Sequence, residues 1–89
     1  MKIKGFPLKS IMDPVVPMPK GAKILKVGRK KKEPIIWAMY RENAPYVKRL
    51  IRVYTTDEDL PDEPGQYLNT IDDLGYEWHL FDGGERYDD

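Results

Sequence analysis

Apolar residues recur along this chain in short runs, and proline or glycine cuts each run before a helical repeat of three and four can establish itself. Eight prolines and seven glycines do the cutting. Runs of that length suit strands. Lys2–Leu8 reads as a first strand that Pro7 confines to an edge or an end. Asp13–Pro19 carries a proline at nearly every second or third place, so it is extended and excluded from the centre of a sheet. Ala22–Arg29 sets Ala22, Ile24, Leu25 and Val27 among lysines, as a strand showing bases to solvent does. Lys30–Glu33 follows as a charged hairpin tip, and Ile35–Arg41, apolar on both faces, reads as a central strand.

The second half repeats the pattern with opposite charge. Val47–Thr56 alternates imperfectly: Val47, Ile51 and Val53 share one parity with Arg49, while Leu50 and Tyr54 share the other with Lys48 and Arg52. A long acidic loop over Asp57–Gly65 ends in Pro64-Gly65, a strong turn signal. Thr56 is placed to cap a single helical turn at its start. Short helices near Glu42–Arg49 or Asp57–Asp62 are the alternatives. Gln66–Ile71 and Tyr76–Phe81 read as a hairpin about Asp72–Gly75, with Tyr76, Trp78 and Leu80 on one face and Glu77, His79 and Phe81 on the other. The expected fold is therefore all-β, or a β-rich α+β arrangement. It has about six short antiparallel strands in a curled sheet or small barrel, with at most one short helical turn. Residues 1–82 form one compact domain, and 83–89 a mobile acidic tail.

Composition limits what such a domain does. At 89 residues it buries about 60–70% of its unfolded surface, so stability needs help. With no cysteine, that help comes neither from disulfides nor from thiolate-held metal, which leaves self-association. The longest apolar run, Ile35–Tyr40, is far short of the ~20 residues that span a bilayer. Met1–Phe6 has no signal-peptide core, and a cytoplasmic location is the expectation.

Charge changes the picture most. Residues 1–52 hold 14 of the 15 Lys and Arg and three of the 15 acids, so a net charge of zero hides segments of about +11 and −11. Two uses compete: an exposed basic surface for an anionic partner, or halves that neutralise one another. Catalytic groups are scarce. The one histidine, His79, lies between Trp78 and Leu80 in an apolar strand and reads as structural unless Asp72 or Asp82 lies beside it. The carboxylates of Asp57–Asp59, Asp62 and Glu63 lack the spacing, central glycine and closing glutamate of a calcium loop. No glycine-rich phosphate loop is present. Arg29-Lys30-Lys31-Lys32 is the best anion-binding run, with Trp37, Tyr40 and Tyr54 as stacking candidates or as plain core.

The segments Met18–Val27 ("MPKGAKILKV"), Pro34–Ala38 with its Trp-Ala pair, Leu60-Pro61-Asp62 with Pro64-Gly65, Tyr67 and Thr70, and the terminal His79-Leu80-Phe81 resemble a family of small uncharacterised proteins of tailed bacteriophages. The similarity runs from about Phe6 to Phe81, and departs in the charged hairpin tip and the Gly-Gly acidic tail. It implies a phage accessory gene expressed in bacterial cytoplasm and no particular reaction. Small phage proteins of this size commonly disable something of the host.

The reading that results is a binding protein, not an enzyme, that calls for no cofactor and no metal, and forms a homo-oligomer. Its ligand face comprises Lys23, Lys26, Arg29, Lys30, Lys31, Lys32, Arg49 and Arg52, with Lys48 beside them and Trp37 or Tyr40 stacking on a nucleotide-type ligand. A host protein or a nucleic acid is the other partner of that face. In the alternative, Asp57, Glu58, Asp59, Asp62 and Glu63 mimic nucleic acid and dock on a basic host enzyme. In a third reading the two charge classes pair within a purely structural module.

Overall fold

The chain runs through β1 (Lys2–Pro7), β2 (Val15–Pro19), β3 (Lys23–Lys30), β4 (Glu33–Tyr40), β5 (Tyr46–Thr55), β6 (Gln66–Asp73) and β7 (Tyr76–Arg86). The computed structural model describes residues 1–9 and 14–86. Asp13 of the proline-rich stretch, Ser10, and residues 87–89 of the expected tail lie outside the described residues. Every pairing is antiparallel, in one sheet of order β1-β4-β3 and another of order β2-β5-β7-β6.

Local sequence explains the order. β4 is apolar on both sides because it is central: Ile36 and Ala38 face inward, while Trp37 shares the outer face with Gly5 and Gly28. β2 holds Pro17 and Pro19, and takes an edge where missing amide donors cost nothing. β3 is the opposite kind of edge, lined with lysines and bulged between Ile24 and Lys26. Edges of both kinds resist pairing with another strand. The protein is all-β and antiparallel as expected, with seven described strands instead of about six, arranged in two sheets that do not close into a barrel. The extra strand is β2, which pairs with β5 from Val15↔Leu50 to Pro19↔Tyr46.

The core is the seam between the sheets. Phe6, Val27, Ile36 and Ala38 meet Val16, Met18, Ile51, Ile71 and Leu80, with Leu8 and Ala22 closing the ends. Full burial of each such side chain contributes about 1.5–3 kcal/mol. Asn69 Nδ2 donates to the Val27 carbonyl at 2.7 Å and Arg29 donates to the Asp72 carbonyl, so β6 is stitched to β3 across the seam.

Two expectations about local structure change. The helical turn at Thr56 is a tight turn instead: Glu58 N donates to Thr55 O, Glu58 Oε1 accepts from Thr55 N and Oγ1, and Asp57 takes φ 72°. β7 also pairs through Arg86, four residues past the expected end of the domain. Gly83 and Gly84 form a bulge opposite Leu50, with Gly84 at φ 89°, so the glycine pair kinks the strand rather than ending it.

Candidate functional site

Two hairpins reach the same end of the sandwich. The β3–β4 tip is Lys31-Lys32, and the β6–β7 tip is Leu74-Gly75. Between them lies an open groove of about 760 Å³. One wall is Lys30, Lys31, Lys32 and Glu33, the other Asp73, Leu74 and Tyr76, and Leu8, Pro34 and Trp78 form its floor with Lys9 at the rim. The Tyr76 and Trp78 rings are 5.7 Å apart, and Trp78 Nε1 donates to the Asp73 carbonyl at 2.9 Å, which fixes the indole.

The tips violate local preference. Two-residue hairpin turns favour asparagine, aspartate or glycine where φ is positive. Here Leu74 adopts φ 53° with 83% of its surface exposed, and Lys31 adopts φ 59°. A left-handed conformation costs such a residue about 1–2 kcal/mol. Both misfits face one groove, and strained residues of this kind cluster at ligand clamps. Among the described residues, Lys30, Lys31 and Lys32 make no ion pair. Four lysines and two acids line the groove, so its field is positive.

The expected ligand face does not assemble as one surface. Lys30, Lys31 and Lys32 are in the groove. Lys23 and Lys26 lie on the outer face of the three-stranded sheet, where Lys26 and Trp37 border a separate hollow. Tyr40 packs edge-on against Phe6 at 5.9 Å and is core. Arg52 pairs with Phe81 in the middle of the four-stranded sheet. Arg29 is held by the Asp72 carbonyl.

Arg49 is the largest departure, at 9% exposure. Its Nε and Nη2 donate to the two carboxylate oxygens of Asp82 at 2.9 and 2.7 Å, and Nη1 donates to the Ala22 carbonyl at 2.8 Å. Burial pushes the Asp82 carboxyl up, but the Arg49 hydrogen bonds, the Gly84 amide and the Arg49 charge outweigh it and hold the carboxyl below its ordinary value. Arg49 is a structural strut whose guanidinium is engaged inside the fold.

The residues Leu8, Lys9, Pro34, Leu74, Tyr76 and Trp78 were not in the expected set. Their signal was present in part: Tyr76 and Trp78 share a parity at the start of a strand, beside a hairpin tip with leucine where asparagine is preferred.

Residues 1–88 match a family described as a domain of unknown function, DUF7352. The chain belongs to that family. No curated protein and no solved structure matches it. In this DUF7352 domain, His79 bridges Thr56 Oγ1 at 2.8 Å and Thr70 Oγ1 at 2.9 Å, an arrangement that orients a strand face and pairs the imidazole with hydroxyls rather than with Asp72 or Asp82. Asp57, Glu58, Asp59, Asp62 and Glu63 are all exposed in the β5–β6 loop, with Glu58 engaged by Thr55. Among the described residues, no group of three or more metal-ligating side chains comes together, and no helix is long and apolar enough to cross a membrane.

Proposed function

We propose that this domain is a binding protein whose groove takes a small ligand with two parts, a planar ring and a phosphate-like anion. The carrying observation is that Lys30, Lys31 and Lys32 share one cavity with the Tyr76–Trp78 ring pair. Lysines supply attraction and steering, and aromatic faces supply about 1–3 kcal/mol per stacked base. The ligand class is a nucleotide or a nucleotide-derived signal. The domain acts by sequestration, since its one histidine is hydrogen-bonded to threonines on the outer sheet face and is not among the groove residues. The resemblance to tailed-phage proteins supports an accessory role of this kind in a bacterial host.

Fluorescence titration tests the reading. In a Trp37→Phe protein the indole of Trp78 is the sole reporter, since the chain has two tryptophans. Nucleoside phosphates quench it at low salt, more tightly than either the unphosphorylated nucleoside or inorganic phosphate, and Lys30→Glu with Lys32→Glu weakens binding tenfold or more. Absence of quenching by any nucleotide at low salt, or equal affinity for nucleoside and nucleotide, would overturn it.

A further inference from the structure

The outer face of the three-stranded sheet is a second surface with its own chemistry, independent of the groove. Gly5 and Gly28 let Trp37 lie down over the sheet, and on Gly5 a Cβ would also stand 2.7 Å from Ile35 Cγ2. A Cβ on Gly5 would stand 3.1 Å from Trp37 Cζ3, and one on Gly28 3.4 Å from its Nε1. The indole therefore covers the glycine positions on both neighbouring strands. Beside it, Ile3 (62% exposed), Leu25 (47% exposed) and Lys26 complete a hollow of about 410 Å³. Lys23 lies on the same face, opposite Met39, and among the described residues neither Lys23 nor Lys26 makes an ion pair.

An apolar hollow beside lysines fits an apolar side chain embedded in carboxylates. The chain itself presents one. The β5–β6 loop holds Leu60, 43% exposed, between Asp57-Glu58-Asp59 and Pro61-Asp62-Glu63. The loop springs from the other sheet. The two surfaces are charged to match where they would meet: Lys26 borders the hollow with Lys23 on the same face, while the β5–β6 loop carries five acids and no base. A face-to-face pair through the hollow would instead bring Lys23 and Lys26 against their own copies, which like-charge repulsion opposes.

We infer that the occupant of this face is a second copy of the chain, docked head to tail. Leu60 enters the hollow beside Trp37, and the neighbouring carboxylates meet Lys23 and Lys26. Such a contact joins unlike patches, so each copy keeps one free face and one free loop, and the assembly extends until its geometry closes a ring.

Sedimentation of the full chain tests this by complementation. The wild type sediments above monomer mass at low salt and shifts toward monomer as salt rises. Lys23→Glu with Lys26→Glu destroys the face, and Asp59→Lys with Asp62→Lys destroys the loop; each protein alone sediments as a monomer. The two variants mixed assemble again, because the intact face of one meets the intact loop of the other and the reversed charges match at the second contact. Leu60→Ser weakens association at least tenfold with no change of charge, and unaltered circular dichroism of each variant certifies its fold. A wild type that stays monomeric at all salt concentrations, or variants that assemble as the wild type does, overturns the inference. So does a mixture of the two variants that does not assemble.

Discussion

The two ends of the sandwich use the same residue types in opposite ways. At the end that holds Ala22 and Asp82, charge is consumed inside the molecule. Arg49 is gripped by Asp82 and Ala22, and Glu85 accepts from the Gly21 amide at 3.1 Å. At the hairpin end, three consecutive lysines stand exposed beside a leucine and a tyrosine that are also exposed. The buried arginine has partners at short distance because an unpaired interior charge is too costly to keep. The lysines need no partner because water supplies one. The difference separates a charge that holds the fold from charges the fold leaves to solvent, and residue type alone does not distinguish the two.

Substitutions sharpen that contrast. The largest effect belongs to Arg49→Met, which strands Asp82 in a mostly buried site and lowers stability by about 3 kcal/mol, measured by urea unfolding. The same pair sets a pH dependence. The Asp82 carboxyl is held below its ordinary value in the folded protein, so its contribution is fully present above the unfolded value of about 3.9 and is lost as pH falls through the lower folded value. Unfolding midpoints measured from pH ~6 down to pH ~2 show that loss in the wild type, and it is smaller in Arg49→Met, where burial pushes the unpaired Asp82 carboxyl up.

Gly65→Ala comes next. Residue 65 has φ 105°, and a Cβ there would collide with the Asp82 carbonyl oxygen. The expected loss is about 2 kcal/mol, with faster proteolysis of the β5–β6 loop as the second readout. At the hairpin end the sign reverses. Leu74→Asn suits the positive φ better and raises stability by about 1 kcal/mol, while removing an exposed apolar contact and weakening nucleotide binding. Lys32→Glu has the smallest effect on the fold, within about 0.5 kcal/mol, and is seen only in the titration. An unfolding loss at Lys32 as large as that at Arg49 would erase the distinction between the ends.

The strands were legible where a local rule decided them. β4 announced its central place by being apolar on both faces, and β2 its edge by its prolines. β7 was cut short because Gly83-Gly84 reads as a terminator, whereas opposite Leu50 it supplies the two residues of a bulge. Whether a glycine pair ends or bends a strand depends on a partner strand far away in sequence. Arg49 was misplaced for the same reason: amid alternating bases it looks solvated, and its burial comes from Asp82, 33 residues on. Of the proposed ligand groove, the lysine tip was legible as an exposed basic run. Its aromatic partners were not, because Tyr76 and Trp78 meet it only when two distant hairpins fold to the same end, while the nearer Trp37 is carried to the outer face by strand alternation.

Asp82 has one more consequence. Its side chain clamps Arg49, and its main-chain oxygen packs where residue 65 must lack a side chain. The most acidic stretch of the protein therefore has its footing on the same residue that locks the lateral seam. A change that shifts the backbone at residue 82 therefore reaches both the Arg49 clamp and the turn that ends the acidic loop.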